Sequence, residues 1–152
     1  MRKSLLNAER RSLYAEGMAQ LDHIGIAVRS IAEARRLYES LGLAVVHEET
    51  IEPEQVRTAL LPAGDARIEL LEPTSPDSPV GRFLAKRGPG LHHIALQVEN
   101  IAATLDELKA QGARLLSDDL QIGAGGHLYF FVHPSSAGGV LLEICQDPIA
   151  DV

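Results

Sequence analysis

An internal repeat constrains the fold of this chain more than any other feature of its sequence. The segment LDHIGIAVRSIAEARRLYESLGLAVV, which begins at Leu21, aligns at a constant offset of 70 with LHHIALQVENIAATLDELKAQGARLL, which begins at Leu91. Seven aligned positions are identical: Leu21/Leu91, His23/His93, Ile24/Ile94, Val28/Val98, Ile31/Ile101, Ala32/Ala102 and Gly42/Gly112. A repeat of this length indicates two copies of one supersecondary unit that share a core.

Each copy opens with a strand followed by an amphipathic helix. Ser30 and Asn100 are suited to cap the start of the two helices, and Gly42 and Gly112 are suited to follow their ends. The spacing of apolar residues predicts that one stripe of the first helix faces the core. That stripe is predicted to contain Ile31, Ala34, Leu37, Tyr38 and Leu41.

Three further strand patterns follow each helix. In the first copy they are LAVVHEE, RTALLPAG and ARIELLEP, and in the second ARLLSDD, HLYFFVHP and GVLLEIC. A proline-rich link joins the copies and contains a short predicted helix, with Ser78 as its N-cap and Gly88 after its end. We therefore predict an α+β chain of two tandem βαβββ modules that form one curved, cup-like mixed sheet. The predicted boundaries are 1–19 for an N-terminal extension, 20–73 for the first module, 74–90 for the linker and 91–147 for the second module.

Composition excludes several classes of function. The formal charge of −7, from 14 basic and 21 acidic residues, opposes a nucleic-acid partner. No apolar run approaches the roughly 20 residues of a membrane span, and the N-terminus lacks the continuous apolar region of a signal peptide. The single cysteine, Cys145, excludes an internal disulfide and favours a reducing, cytoplasmic location.

The repeat also duplicates a set of residues that can bind a metal. His23 and His93 are equivalent in the first strands, and Glu69 and Glu143 interrupt the apolar last strands 74 residues apart. Burial of a carboxylate without a partner in such a strand costs on the order of several kcal/mol of folding free energy. A pseudo-twofold arrangement would bring all four residues together inside the cup. Two neutral imidazoles and two carboxylates then form a charge-neutral cage for a divalent ion.

His92 is expected to differ in role from its neighbour His93. Successive residues of a regular strand point to opposite faces, so His92 is predicted to point away from the ligand position. It aligns with Asp22 and is expected to be either a supporting or a surface group. Cys145 is expected to pack beside Glu143 without a redox role.

The chain resembles the vicinal oxygen chelate superfamily, and within it the methylmalonyl-CoA epimerase family. The matching stretches are LDHIGIAV, RIELLEPTSPDSPVGRFLAKRGPGLHHIAL and GAGGHLYFFVHPSSAGGVLLEICQ. With the intervening helices they cover residues 20–146. The tandem HHIA and the closing HP…GGVLLEICQ are fairly specific to the epimerases, whereas the paired modules are shared by the whole superfamily.

The resemblance implies a cofactor, a substrate and a reaction. It implies that His23, Glu69, His93 and Glu143 bind a divalent metal ion, commonly Co²⁺, with Zn²⁺, Mn²⁺, Ni²⁺ or Mg²⁺ as alternatives. The implied reaction interconverts the R and S epimers of methylmalonyl-CoA at C2 by proton abstraction through a metal-stabilised enolate. Glu143 is expected to be both a ligand and one catalytic acid/base group. An acyl-CoA substrate and a homodimer are the implied partners.

The second acid/base group is left open by the sequence. The resemblance suggests a glutamate at a position that falls at or near Thr58, and threonine is not a competent base there. Glu48, Glu49 and a metal-bound water are the alternatives. A basic cluster of Arg82, Lys86 and Arg87 either receives CoA phosphates or forms a solvated helix face.

Three other functions fit the same fold. A glyoxalase I-like lyase that acts on a hemithioacetal can use the same ligand set. A metal-free small-molecule-binding protein is disfavoured because all four ligand-type residues are present. A ring-cleaving dioxygenase usually needs an open three-ligand iron site, which the carboxylate at Glu69 argues against.

Overall fold

The computed structural model describes residues 17–147 of the chain, so the predicted N-terminal extension lies almost wholly outside the described residues. The described part alternates strands and helices in the order that the repeat predicts. Its elements are β1 (Gln20–Ala27), α1 (Ile31–Ser40), β2 (His47–Ile51), β3 (Val56–Ala63), β4 (Ala66–Pro73), α2 (Pro79–Arg87), β5 (Gly90–Gln97), α3 (Ile101–Ala110), β6 (Gln121–Ile122), β7 (Leu128–Val132) and β8 (Leu141–Gln146).

The eight strands of residues 17–147 form one curled, mixed sheet in the order β2-β3-β4-β1-β5-β8-β7-β6. The first strand of each copy pairs in parallel with the last strand of the same copy, β1 with β4 and β5 with β8. β1 and β5 pair with each other in antiparallel orientation at the centre. The predicted fold class is confirmed; the domain boundaries remain a prediction.

Helices α1 and α3 cover one face of this sheet. Ile31 of α1 packs against Leu61 and Leu70, and Ile101 of α3 packs against Phe130 and other residues of the second copy. The predicted stripe of α1 is only partly right. Ile31, Ala34 and Tyr38 contact the core, but Leu37 and Leu41 are 66% and 70% exposed. Position 37 lies outside the i, i+3, i+7 stripe that begins at Ile31, and Leu41 follows the last helical residue, Ser40, as the C-cap.

Helix α2 packs on the opposite face, near one end of β1. Ser78 caps its first turn, and Gly88 follows its last residue with a φ of 73°. Val80 and Leu84 of the helix pack against a cluster that includes Ala27 of β1. The link between the copies therefore closes one end of the face that lacks α1 and α3, which we call the site face.

Two predicted strands are shorter than expected. Only His47–Ile51 of the first segment is regular strand, and the second segment keeps a single bridge between Leu115 and Val132. The hydroxyl of Ser117 bonds with the backbone of Asp119, and such local bonds compete with a strand ladder. Among residues 17–147, no helix is long and apolar enough to cross a bilayer.

Candidate metal centre

Three side chains from neighbouring strands meet on the site face. His23 extends from β1, His93 from β5 and Glu143 from β8, and all three are buried. Nε2 of His23 lies 3.0 Å from Nε2 of His93 and 3.2 Å from Oε2 of Glu143. One potential ligand atom from each residue lies within 4.8 Å of the other two. Three of the four predicted ligands are therefore brought together.

The strand register explains this convergence. Ala95 of β5 pairs with His23 on one side and with Glu143 on the other, so these residues share a face with His93. Gly25 of β1 pairs with His93 directly. A Cβ atom at Gly25 would lie 2.2 Å from Cε1 of His93. The glycine therefore leaves the space that the imidazole ring occupies.

The fourth predicted ligand, Glu69, lies at the border of this cluster. It is on β4, and the parallel pairing of β4 with β1 sets it beside Gly25. Its Oε1 atom lies 3.9 Å from Nε2 of His93, and its side chain is 20% exposed. Glu69 is thus within reach of the cluster, but its oxygen is not among the three atoms that converge most closely.

Burial and neighbouring charges shift the pKa values of the two histidines in opposite directions. Burial lowers the pKa of His23, but the hydrogen bond to Asp22 and the nearby carboxylates of Glu143 and Glu69 outweigh it and raise the pKa to about 10. Burial lowers the pKa of His93 to about 4 despite the negative charge of Glu143. In the metal-free protein, one imidazole is therefore protonated near neutral pH and the other is neutral.

The residues present fit a divalent metal ion. Oε2 of Glu143 is buried and has no hydrogen-bond partner within residues 17–147, and a buried carboxylate without compensation is unfavourable. Around an octahedral ion, two adjacent ligand atoms about 2.1 Å from the ion are separated by about 3.0 Å. The distances from His23 to His93 and to Glu143, 3.0 and 3.2 Å, match this separation. A cation would also satisfy the orphaned oxygen.

The expectation that His92 points away from His93 is wrong. The pairing of β1 with β5 shifts register between Gly25 and Ile26, which leaves His92 as an extra residue on β5. This β-bulge turns the side chain of His92 toward its neighbour, because a bulge interrupts the alternation of a strand. Nδ1 of His92 lies 3.0 Å from Nδ1 of His93.

None of the residues weighed for the second acid/base role is well placed for it. Thr58 is buried in β3 and carries only a hydroxyl. Glu48 lies 3.5 Å from a guanidinium nitrogen of Arg35 on the exposed surface, and Glu49 lies 3.6 Å from His47. Both glutamates therefore lie on the edge strand β2 and pair with surface residues rather than with the cluster.

Glu54 is a carboxylate near the cluster that sequence reasoning missed. It lies in the 3₁₀ turn between β2 and β3 and interacts electrostatically with Glu69, Glu143 and Tyr129. Tyr129 is on β7, five strands from β3 in the sheet, so the curl of the sheet carries this turn over the site face. Glu54 is exposed, but partial desolvation and the charge of Glu143 raise its pKa. Four glutamates occur between residues 48 and 54, and no sequence signal distinguished this one.

A cavity of about 380 Å³ lies beside α2, next to His92. Arg82, Lys86 and Arg87 of that helix line it, and His92 and Leu141 line it next to the sheet. The three cations of the predicted basic cluster thus lie around one cavity. The cavity extends to His92, which is next to the candidate ligand His93. Their local positive charge contrasts with the formal charge of −7 of the whole chain.

The remaining polar residues noted in the sequence have structural contacts. Cys145 is fully buried, its thiol lies 3.6 Å from the carbonyl of Leu96, and burial raises its pKa. Nδ1 of His127 lies 3.5 Å from Asp147, and Nδ1 of His133 accepts from the backbone of Ser135. These contacts agree with packing and turn formation.

Comparison with known proteins identifies relatives across most of the chain. Residues 22–131 match the family described as Glyoxalase/Bleomycin resistance protein/Dioxygenase superfamily. The chain is 45% identical over 130 residues to the uncharacterised protein YqjC of Bacillus subtilis, covering 85% of this chain and 93% of that protein. It is 38% identical over 131 residues to the mitochondrial methylmalonyl-CoA epimerase of Homo sapiens, covering 85% and 74%.

Solved structures give the same result. The methylmalonyl-CoA epimerase from Mycobacterium tuberculosis superposes with a TM-score of 0.82 at 36% identity, over 92% of this chain and 96% of that one. A methylmalonyl-CoA epimerase in complex with methylmalonyl-CoA and NH4+ superposes with a TM-score of 0.79 at 35% identity, over 88% and 98%. The sequence match and the shared curled sheet together show that this chain belongs to the glyoxalase/bleomycin resistance protein/dioxygenase superfamily.

Proposed function

We propose that this chain is a metal-dependent methylmalonyl-CoA epimerase, which interconverts the R and S epimers at C2. The observation that carries the proposal is the convergence of His23, His93 and Glu143 on the site face of a fold that superposes on proteins of this name. Glu69, 3.9 Å from His93, completes the proposed ligand set. A cobalt cofactor, a homodimer and a cytoplasmic location remain parts of the proposal.

The chemistry of the substrate explains why such a site suits it. C2 of methylmalonyl-CoA lies between a thioester carbonyl and a carboxylate, so its proton is removed most easily when charge on the carbonyl oxygen is stabilised. A divalent ion held by His23, His93, Glu69 and Glu143 would supply that stabilisation as a Lewis acid.

Inversion at C2 needs one group to remove the proton and another to deliver a proton to the opposite face. Glu143 is the proposed group on one side, where it would serve both as a ligand and as an acid/base group, and its position in the cluster supports this role. Glu54 is the proposed group on the other side. It comes from the turn before β3 rather than from β8, interacts electrostatically with Glu143, and remains accessible to a substrate. The proton removed by one carboxylate is replaced by a proton from the other.

The cavity beside α2 provides a place for the CoA part of the substrate. Arg82, Lys86 and Arg87 can pair with the phosphate groups, and His92 and Leu141 connect the cavity to the site face. An anionic acyl-CoA approaching an acidic protein needs such a local positive field.

Deuterium incorporation at C2 of methylmalonyl-CoA in D₂O tests the proposal. The protein is stripped of metal with a chelator, assayed, and assayed again after addition of Co²⁺. We expect metal-dependent exchange accompanied by loss of stereochemical purity. Glu143→Gln should lower this rate by about 10²-fold or more, because an amide cannot act as the base. Glu99→Gln, on an exposed loop, is the matched control and should leave it unchanged.

Tight binding of Co²⁺ without exchange at C2 would contradict the epimerase assignment while leaving the metal site intact. The hemithioacetal of methylglyoxal and glutathione is then the substrate to test, because a glyoxalase I-like lyase can use the same ligand types.

A further inference from the structure

Each copy of the repeat carries a β-bulge immediately before its candidate ligand histidine. The pairing of β1 with β5 shifts register between Leu21 and His23, and again between Gly25 and Ile26. The extra residues are Asp22 on β1 and His92 on β5, which are equivalent at the offset of 70. We propose that these two bulges present Asp22 and His92 as the positioning residues that orient the two ligand histidines toward the metal. The inference rests on the proposed metal site.

Asp22 is held in place from both sides. Its Oδ2 lies 2.6 Å from Nδ1 of His23 and accepts a hydrogen bond of 2.6 Å from the guanidinium of Arg67. The carboxylate is buried, and Arg67 of β4 is the residue paired with His23 in the adjacent strand. Because a carboxylate only accepts, Nδ1 of His23 carries a proton, and Nε2 is left to face the cluster as the ligand atom.

His92 has the corresponding place behind the second histidine. Its Nδ1 lies 3.0 Å from Nδ1 of His93, so one of these two nitrogens donates and the other accepts. If Nε2 of His93 is to bind a metal, its Nδ1 must carry the proton and His92 must accept. The ring of His92 is held in turn by an edge-to-face contact with Phe83 of α2, at a centroid distance of 5.1 Å.

The two bulges therefore have the same role, which is to place a polar group against Nδ1 of a ligand histidine, but the two groups differ in chemistry. A bulge re-aims a side chain without changing the rest of its strand, which allows adjacent residues to act on one site. The first bulge supplies an anion fixed by Arg67, and the second supplies a neutral acceptor fixed by α2. Hydrogen bonds of this kind fix the tautomer and the ring orientation of a ligating histidine.

Measurement of Co²⁺ affinity by competition with a chelator tests the inference on the full-length protein. Asp22→Ala and His92→Phe should each weaken binding by about 10- to 100-fold and shift the visible absorption bands of bound Co²⁺. The phenylalanine keeps a ring against Phe83 but removes the acceptor. Asp22→Asn retains an oxygen that accepts from Nδ1, so its affinity should lie between those of the wild type and Asp22→Ala. It also provides a readout if Asp22→Ala fails to fold.

The controls are Asp106→Asn on α3 and His47→Phe on β2, two exposed positions, and both should leave the affinity and the spectrum unchanged. Wild-type affinity and an unchanged spectrum in Asp22→Asn and His92→Phe would overturn the inference while the metal site stands. Failure of the wild-type protein to bind Co²⁺ would instead overturn the metal site itself, and the inference with it.

Discussion

Glu54 is the residue whose role is most open to a direct test. We expect Glu54→Gln to lower the rate of epimerisation by about 10²- to 10⁴-fold, because one of two acid/base groups is lost. Glu143 would still remove and return the proton on its own face. One epimer should therefore continue to exchange its C2 proton with D₂O without inversion, which proton NMR and a stereospecific assay can separate.

The matched control is Glu48→Gln, since Glu48 lies six residues before Glu54 in the sequence but pairs with Arg35 at the surface. It should leave both rates unchanged. Equal loss of exchange from both epimers in Glu54→Gln would show that Glu54 does not act on a single face and would remove it from the mechanism.

His23 makes metal binding depend on pH. Burial lowers its pKa, but the hydrogen bond to Asp22 and the nearby carboxylate of Glu143 raise it to about 10, above its usual value of 6.5. Below the raised pKa, a proton must leave Nε2 before an ion can bind. We expect release of about one proton per Co²⁺ bound at pH near 7.5, and affinity that rises about tenfold per pH unit between roughly pH 7 and 9.

Calorimetric titration in two buffers of different ionisation enthalpy measures the protons released. Release of none would show that Nε2 of His23 is already unprotonated in the metal-free protein. In the absence of metal, the stability of the folded chain depends on pH in the opposite direction to metal affinity. A raised pKa stabilises the folded chain fully below pH 6.5, and this contribution is lost as the pH rises toward 10.

Sequence reasoning identified the residues whose chemistry is unusual for their place. His23, His93 and Glu143 were found because two copies of the repeat placed costly polar groups at equivalent positions of apolar strands. Asp22 and His92 received no comparable role because a bulge depends on pairing between β1 and β5 and has no glycine to signal it at these positions. Contacts that depend on the pairing register of two strands cannot be predicted from the sequence of either strand alone.

At the scale of elements, the start of α2 depends on one buried serine. The side chain of Ser78 accepts from the backbone of Gly81 at 3.0 Å and donates to the carbonyl of Ser75 at 2.7 Å, and Ser78 is 1% exposed. Ser78→Ala leaves both groups without this partner, so we expect a loss of about 2 kcal/mol in the free energy of unfolding. Urea denaturation followed by circular dichroism measures it.

Ser30→Ala is the matched control, because Ser30 caps α1 with one bond to Glu33 in a more exposed setting. Its loss should be about 1 kcal/mol or less. Equal losses in the two variants would contradict the view that burial at Ser78 matters. Both caps were predicted from sequence, since a serine before an apolar periodic segment is a local signal.

Strand ends were predicted less well than helix ends. The apolar residues Val45 and Leu115 extend the two post-helix patterns, yet Val45 lies before β2 and Leu115 forms only a bridge. Val45 and Leu115 pack under α1 and α3 instead. Apolar runs indicate burial, and burial here comes from packing beneath a helix rather than from a strand ladder.

At the scale of the whole molecule, the repeat accounts for the position of the site. Antiparallel pairing of β1 with β5 places the two copies around a pseudo-twofold axis, and each copy adds its last strand in parallel on the outer side. Equivalent residues of the two copies therefore face each other across the centre of the sheet. The repeat predicts the strands and helices of each copy. It does not predict the curl of the sheet that brings Glu54 near Tyr129, because that curl involves strands that are far apart in the strand order of the sheet.

This arrangement predicts that a metal ion ties the two copies together. Because His23 belongs to one copy and His93 to the other, an ion bound only in the folded state stabilises the whole chain. We expect Co²⁺ at 100 times its dissociation constant to raise the free energy of unfolding by about 2.7 kcal/mol over chelator-treated protein, measured by urea denaturation.

The stabilisation should fall sharply at that Co²⁺ concentration in both His23→Gln and His93→Gln, since each substitution removes one ligand of the cluster. His47→Gln, at an exposed position on β2, should retain it. If His93→Gln kept the full stabilisation while His23→Gln lost it, His93 would not be a ligand of the ion. The pseudo-twofold axis would then have no part in binding, and the equivalence of His23 and His93 in the repeat would concern the fold rather than the cofactor.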